Sequence, residues 1–201
     1  MDVEQPAIFQ VENKMRVISG KAKGMRLKRV PGEGTRPIMD RAKESLFNIL
    51  NDILPGSRWL DLFAGTGQVG IEALSRGAME VVFVDNGRAA VHTIKDNLRH
   101  TRLAENAIVL HMDSFRYLES PIGTPFDLIY VAPPQYKDLW AKCVIKIDGQ
   151  VSRFLMPDGL LVVQIDPKEH RDLELTHFVE YDSRRYGNTL LCFYELLDNV
   201  T

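Results

Sequence analysis

The stretch DLFAGTGQVGIEALSRG, residues 61–77, constrains the fold more than any other part of the sequence. An apolar run typical of a strand ends at Phe63, Gly65 and Gly67 permit a tight turn, and a helix-forming segment follows at once. The positive end of such a helix faces the turn and attracts ligand groups. The stretch therefore predicts a strand, loop and helix that bind a nucleotide-type ligand. The alternative is that the glycines serve only the turn.

Strand-like and helix-like segments alternate after this unit. The strands are apolar on both faces, which predicts a mostly parallel sheet with helices on each side. After Pro167 the pattern changes to two β-rich runs around Gly187 and Asn188, a pair that suits a tight hairpin turn, so an antiparallel pair closes the sheet. The predicted parallel strands are RWLDLF, EVVFVD, AIVLH, FDLIYV and LLVVQI, and the predicted helices are residues 68–76, 88–99, 114–119 and 137–154.

Acidic residues follow three successive strands. Asp85 lies twenty residues after Gly65, where a carboxylate can accept hydrogen bonds from both ribose hydroxyls. Because Gly65, Gly67 and Gly70 also spell G-x-G-x-x-G, this part alone is compatible with a dinucleotide. Asp85 has a second interpretation as a helix cap.

The other two acids favour a different cofactor. Asp61 places a carboxylate beside the loop, which disfavours a pyrophosphate and suits the ammonium and sulfonium groups of S-adenosylmethionine. Asp113 can accept a hydrogen bond from an adenine amino group, or it can cap the helix that follows it. Ligands bind at the carboxyl ends of such strands, so a methyltransferase is favoured over an NAD-dependent oxidoreductase.

The N-terminal part of the chain is basic. Residues 14–43 hold ten Lys or Arg against Glu33 and Asp40, although the formal net charge of the chain is −2. Two short strands around Gly20 and Gly24 are predicted to form a hairpin, and Asp40 is predicted to cap a helix. A local positive surface is a plausible nucleic-acid footprint, the alternative being a solvated charged face. The candidate RNA-binding residues are Lys21, Lys23, Arg26, Lys28, Arg29, Arg36 and Arg41.

Length and composition set outer limits. A chain of 201 residues that is 45% apolar and 26% charged is typical of a globular protein of about one domain. The apolar runs are too short to cross a bilayer and a signal peptide is not evident, so we expect a cytoplasmic protein. Cys143 and Cys192 lack metal-ligand spacing, so we expect buried free thiols and no metal site. We expect three segments: a flexible extension (1–14), a basic hairpin and helix (15–54) and a catalytic domain (55–201).

Several segments together resemble the RsmD family, bacterial methyltransferases that act on the guanine N2 amine of 16S ribosomal RNA. The match runs from about Met15 to Leu196 and rests on MRVISGKAKGMRLKRVPGEGTRPIMDRAKESLFNIL, WLDLFAGTGQVGIEALSRGA, VVFVDN, FDLIYVAPPQY and RRYGNT. The resemblance implies a Rossmann-like class I methyltransferase fold, α/β, with a seven-stranded, mostly parallel sheet, an antiparallel C-terminal strand and the basic N-terminal extension. It implies S-adenosylmethionine as cofactor, and 16S rRNA or a small-subunit assembly intermediate as partner. Nothing in the sequence demands a dimer, so we expect a monomer. The expected cofactor-binding residues are Asp61, Phe63, Ala64, Gly65, Gly67, Asp85, Asn86, Asp113 and Ser114.

The loop after the fourth strand departs from the family pattern. The family has Asp or Asn, two prolines and an aromatic residue, whereas this chain has Ala132, Pro133, Pro134, Gln135 and Tyr136, which we take as the catalytic segment. In the family pattern a side-chain oxygen and a backbone carbonyl accept hydrogen bonds from the target amine while the aromatic ring stacks on the base. We hypothesise that Gln135 replaces the missing acceptor, or else it is an exposed loop residue. The alternative function is a weak or silent protein that binds cofactor and RNA in ribosome assembly.

Overall fold

The computed structural model describes residues 15–32 and 38–197. The expected flexible extension (1–14) and the candidate RNA-binding residue Arg36 therefore lie outside the described residues. None of the helices in the described ranges is long and apolar enough to cross a membrane.

Strands and helices alternate along the chain as the apolar pattern predicts. The helices are α1 (Asp40–Ile49), α2 (Gln68–Arg76), α3 (Arg88–Thr101), α4 (Ser114–Glu119), α5 (Leu139–Asp148) and α6 (Val151–Phe154). The strands are β1 (Arg58–Leu62), β2 (Glu80–Asp85), β3 (Ala107–His111), β4 (Phe126–Val131), β5 (Leu155–Ile165), β6 (Phe178–Tyr186) and β7 (Thr189–Leu196).

The seven strands form one sheet in the order β3-β2-β1-β4-β5-β7-β6. β7 runs antiparallel to both of its neighbours, β5 and β6, and the predicted tight turn joins it to β6 at Gly187 and Asn188. The predicted α/β class and antiparallel C-terminal strand are confirmed. The strand order changes direction between β1 and β4, which opens a crevice at the carboxyl ends of these strands.

Helices cover both faces of the sheet. On one face, α1, α2, α3 and the N-terminal segment pack over strand residues such as Trp59, Phe83 and Tyr130. On the other face, α4, α5 and α6 pack over residues such as Leu60 and Val131. Cys143 and Cys192 are buried free thiols in this second layer, as expected.

The N-terminal segment forms a looser hairpin than predicted. Instead of two strands, it has one isolated antiparallel bridge between Arg16 and Arg26. Contacts with α2 hold it in place. Glu72 accepts hydrogen bonds from the backbone N–H groups of Ile18 and Ser19 at 2.7 and 2.9 Å. Because these partners lie far along the chain, local patterning did not indicate them.

Two local predictions about helices are wrong. Asp40 does not cap α1: the cap position is Met39, and the Asp40 carboxylate pairs with Arg16 at 3.3 Å. The helix predicted over residues 137–154 divides into α5 and α6, with Gly149 and Gln150 at the break. The apolar spacing continues through this break because both helices bury residues in the same layer.

Candidate active site

A cleft of about 860 Å³ opens at the carboxyl ends of β1, β2, β4 and β5. Its volume lies in the usual range for sites that bind small molecules. All five residues of the predicted catalytic segment line it. So do the predicted cofactor residues Asp61, Phe63, Ala64, Gly65, Asp85 and Asn86. The fold thus brings two distant parts of the sequence to one surface.

The glycine loop turns sharply between β1 and α2. Gly67 occupies the cap position of α2 with a φ of +74°, a backbone conformation that residues with a Cβ atom rarely adopt. A Cβ atom there would also lie 3.2 Å from the Ile94 side chain of α3. The turn therefore favours glycine at this position, and a larger residue would also require the Ile94 side chain to shift.

Asp61 is a buried carboxylate in the cleft wall. It is 2% exposed, and its Oδ2 accepts a hydrogen bond from the Gly70 backbone N–H at 3.2 Å. Burial raises the pKa of Asp61 from 3.8 to about 7, and the hydrogen bond from Gly70 opposes this rise. A cation bound beside Asp61 would compensate for the cost of ionising it.

Asp85 connects the glycine loop to the start of α3. Its Oδ2 accepts from the Gly65 N–H at 2.8 Å, and its Oδ1 accepts from the Gly87 N–H at 2.7 Å. Gly87 is the cap residue of α3. By accepting from its N–H, Asp85 contributes to the start of this helix, as the alternative interpretation predicted in part. Each carboxylate oxygen has a second acceptor site, so ribose hydroxyls can still donate to this group.

Asp113 lies at the carboxyl end of the third strand but is engaged as a helix cap. Its Oδ1 accepts from the backbone N–H groups of Phe115 and Arg116 at 2.9 and 3.1 Å. Within the described chain, Asp113, Ser114 and Gly67 do not contribute to the lining of the cleft. The adenine contact at Asp113 stays a prediction.

The proline loop is braced by a segment that the sequence analysis missed. Tyr136 has a φ of +59°, unusual for a residue other than glycine, and its backbone N–H donates to Glu169 Oε1 at 2.7 Å. Two residues later Asp138 pairs with Arg171 at 2.6 Å. Residues 169–171 follow β5 and therefore hold the loop that follows β4. Glu169 and Arg171 are charged residues that closely follow a strand, and this is the sequence signal that could have identified the segment.

Two further residues of the cleft wall were also missed. Tyr130, on β4, donates its hydroxyl hydrogen to the side-chain oxygen of Gln164, on β5. Burial raises the pKa of Tyr130 well above its usual value, so the phenol keeps its proton. Gln164 interrupts the apolar run of β5 close to its carboxyl end, which is the signal that could have identified it.

The basic segment is docked against the glycine loop. The amide of Asn97, on α3, accepts from the Lys28 backbone N–H at 2.7 Å and donates to the Thr66 carbonyl at 3.0 Å. Lys28 also pairs with Asp96 at 2.8 Å. The described candidate RNA-binding residues Lys21, Lys23, Arg26, Lys28, Arg29 and Arg41 all have exposed side chains.

Lys43 belongs to the same basic stretch but is fully buried. It pairs with Glu72 at 3.3 Å and donates to the Arg16 carbonyl at 2.6 Å. Burial lowers the pKa of Lys43, and the neighbouring Glu72 carboxylate opposes this effect. Lys43 therefore stabilises the fold and does not contribute to the exposed positive surface.

The carboxylates of the cleft wall fit the positive and hydroxyl groups of S-adenosylmethionine. Asp61 is a buried carboxylate that a positive group would stabilise, and Asp85 presents oxygens to hydroxyl donors. The nearby Asp85 charge also raises the pKa of Asp61, so two acidic side chains lie close together in the part of the wall beside the glycine loop. Such a wall favours a cation over a pyrophosphate. The literal dinucleotide interpretation of the three glycines is therefore not supported by the charges around them.

Comparisons with known proteins agree with this geometry. The family model "Conserved hypothetical protein 95" matches residues 15–195. The Bacillus subtilis protein YlbH is 38% identical over 183 residues, covering 90% of this chain and 98% of that protein. Ribosomal RNA small subunit methyltransferase D of Escherichia coli is 36% identical over 150 residues, covering 75% of this chain and 74% of that protein.

A solved structure shows the same architecture. The Escherichia coli protein YhhF superimposes with a TM-score of 0.80 at 27% identity, covering 91% of this chain and 98% of that one. The chain therefore belongs to the RsmD family of S-adenosylmethionine-dependent rRNA methyltransferases.

Proposed function

We propose that this protein methylates the exocyclic N2 amine of a guanine in 16S rRNA. The observation that carries the proposal is the convergence of the proline loop and the carboxylates Asp61 and Asp85 on one cleft. The name of the Escherichia coli relative, a small-subunit rRNA methyltransferase, supports the choice of RNA. We expect the protein to act as a monomer on a small-subunit assembly intermediate.

The chemistry requires a poor nucleophile to be held and polarised. The lone pair of the guanine amine is delocalised into the ring, and positive charge develops on the nitrogen during attack. S-adenosylmethionine, when bound, supplies an electrophilic methyl group on a sulfonium. Acceptors in the proline loop stabilise the developing charge by hydrogen bonding to the amine hydrogens, and they do so more strongly in the transition state than in the ground state.

The proline loop has features suited to this task. Pro133 and Pro134 restrict the backbone and so hold carbonyl oxygens in position. Tyr136 is 64% exposed, which leaves its ring accessible to a base that has left its stack. Ala132 supplies only backbone groups, and its N–H donates to the Leu62 carbonyl at 3.3 Å. The hypothesis that Gln135 supplies the missing oxygen stays a prediction.

The cost of losing one acceptor is large but limited. By analogy with the removal of one oxyanion-hole donor, it is roughly 3 kcal/mol, or on the order of a hundredfold in rate. Positioning alone contributes ~7 kcal/mol or more in well-oriented reactions. A slow enzyme is therefore the expected result of Ala132, and a dead enzyme is not required.

The test compares ribosomes with and without the gene. Mass-spectrometric mapping of 16S rRNA from a deletion strain should show one guanine that loses its N2 methyl group. Purified protein should then restore that group on subunits from the deletion strain. If all guanines are unchanged in the deletion strain, the proposed activity is wrong.

A second candidate function follows from Ala132. The lack of a polar side chain at this position favours a protein that binds cofactor and RNA and assists assembly without transferring a methyl group. Measured turnover on unmodified subunits separates the two functions. Robust transfer eliminates the silent protein, and tight RNA binding with zero transfer favours it.

A further inference from the structure

The position of Ala132 in the sheet identifies its neighbour on the next strand. β4 and β5 run parallel, with Tyr130 beside Val162 and Val131 beside Val163. One residue further along, Ala132 directly follows the last residue of β4 and Gln164 lies on β5. These two residues therefore stand at the same level of the sheet, at the edge that forms the cleft.

Their side chains also share one face. Side chains alternate along a strand, so Ala132 points to the same side as Tyr130, and Gln164 points to the same side as Val162. The core packing agrees: Tyr130 and Val162 are buried in the layer of α1, α2 and α3, whereas Val131 and Val163 are buried in the opposite layer. Both Ala132 and Gln164 line the cleft.

The Gln164 amide is held in a defined orientation. The Tyr130 hydroxyl donates to Gln164 Oε1, and Tyr130 is only 2% exposed. An amide oxygen has two lone pairs, so Oε1 can accept one more hydrogen bond. Gln164 also belongs to a strand that is paired on both sides, with β4 and with β7, where it faces Leu191.

We propose that Gln164 supplies the side-chain acceptor that the family pattern places at position 132. The oxygen that would receive a hydrogen bond from the target amine has moved from the end of β4 to the adjacent strand end of β5. This inference rests on the proposed function, because it assumes an amine substrate in the cleft. It identifies Gln164 as a catalytic residue and Tyr130 as the residue that positions it.

Gln135 is the competing candidate for the same role. It lies in the loop next to Tyr136, so its side chain is not held by a strand register. Gln164 is on a rigid element with a buried hydrogen-bond donor, which is the more precise way to hold a reacting group. The two glutamines therefore differ in the element that carries them, a strand for Gln164 and a loop for Gln135, and substitution of each separates their roles.

The experiment measures single-turnover methyl transfer to subunits from the deletion strain. Wild type is compared with Gln164→Ala, with the similarly sized Gln164→Met, with Gln135→Ala and with the double variant Ala132→Asn/Gln164→Ala. Binding of S-adenosylmethionine is measured by calorimetry for each protein, and thermal melting verifies folding. Gln164→Met keeps the side-chain volume, so it provides a folded variant if Gln164→Ala is unstable.

We expect both Gln164 variants to lose roughly a hundredfold in rate, the typical cost of one such hydrogen bond, with cofactor affinity unchanged within threefold. Gln135→Ala should reduce the rate at least tenfold less than Gln164→Ala does. The double variant should recover at least tenfold over Gln164→Ala, because the Ala132→Asn substitution restores a side-chain oxygen at the end of β4.

Three outcomes overturn the inference. If a folded Gln164 variant retains the wild-type rate, Gln164 is not the acceptor. If Gln135→Ala alone causes the hundredfold loss, the acceptor lies in the loop. If wild type itself transfers no methyl group while it binds cofactor and RNA, the proposed function is wrong, and the inference that rests on it is wrong as well.

Discussion

The backbone N–H of Tyr136 donates a hydrogen bond to Glu169 at 2.7 Å, joining the proline loop to the segment after β5. Tyr136 has a φ of +59°, a conformation that surrounding contacts must stabilise. The contact therefore links the geometry of the proline loop to a residue 33 positions away.

Replacing Glu169 with alanine should loosen the proline loop. We expect the rate of methyl transfer to fall about tenfold because a displaced loop positions the base poorly. Cofactor affinity should stay unchanged, and hydrogen exchange at the Tyr136 amide should become faster. The matched control is Glu174→Ala, an exposed glutamate five residues later. Unchanged exchange at Tyr136 in Glu169→Ala would contradict a bracing role.

Asp61 should make the stability of the ligand-free protein depend on pH. Its pKa is raised from 3.8 to about 7 in the folded protein. Between these two pH values the folded protein keeps a proton on Asp61, whereas the unfolded chain has released it. The stabilisation is complete below about pH 4 and is lost as the pH rises through about 7. The shift corresponds to roughly 4 kcal/mol. Urea unfolding should therefore show Asp61→Asn to be similar to wild type at low pH and more stable than wild type at about pH 8.

The same carboxylate should control the affinity for the cofactor. A positive ligand favours ionised Asp61, so the affinity for S-adenosylmethionine should rise by up to about tenfold per pH unit below pH 7 and level off above it. Calorimetry across this range measures the effect. In Asp61→Asn the pH dependence should disappear. A similar slope in wild type and variant would assign the dependence to another group.

The two roles of Asp113 can be separated with serine. Serine keeps a cap for α4 but lacks the carboxylate that would accept from adenine, whereas alanine lacks both. We expect Asp113→Ser to keep the melting temperature and to bind S-adenosylmethionine about tenfold more weakly. Asp113→Ala should also lose ~1 kcal/mol of stability. If cofactor affinity is normal in Asp113→Ser, the residue is only a cap.

Gly20 should be essential for docking the basic segment on α2. A Cβ atom at Gly20 would lie 1.9 Å from the Ser75 carbonyl oxygen, and φ is +80°. Gly24 is the matched control, since it has a similar φ of +82° but its Cβ position is open within 4 Å among the described atoms. Thermal melting should show Gly20→Ala to be less stable than Gly24→Ala by ~2 kcal/mol or more. Equal melting temperatures would contradict close docking.

The exposed positive charges of the N-terminal segment should set RNA affinity. Lys21→Ala/Arg26→Ala removes two of them, whereas Lys142→Ala/Arg153→Ala removes the same residue types from the opposite face of the sheet. We expect the first variant to bind 16S rRNA about tenfold more weakly. The slope of the logarithm of its binding constant against the logarithm of the salt concentration should be shallower by roughly 1 to 2. Filter binding at several salt concentrations tests this. Equal loss in both variants would indicate a non-local charge effect.

Short-range patterns predicted the local elements well. The turn at Gly187 and Asn188 and the glycine loop depend on residues adjacent in the chain, and both formed as predicted. The error over residues 137–154 has a physical cause: one buried face continues across α5 and α6, so its spacing did not reveal the break at Gly149. The Asp40 cap was wrong because the helix begins at Asp40 itself, which places Met39 at the cap position, and the Asp40 carboxylate pairs with Arg16 instead.

By itself, the sequence determined the α/β fold, the glycine loop and the acids Asp61 and Asp85 at the strand ends, because these follow from the periodicity and turn chemistry of neighbouring residues. Only the tertiary structure decided that Gln164 stands beside Ala132, that Glu169 holds Tyr136 and that Glu72 anchors the basic segment. These relationships depend on the register of paired strands and on helix docking, where residues distant in the chain meet. Such contacts are set by the packing of the whole domain.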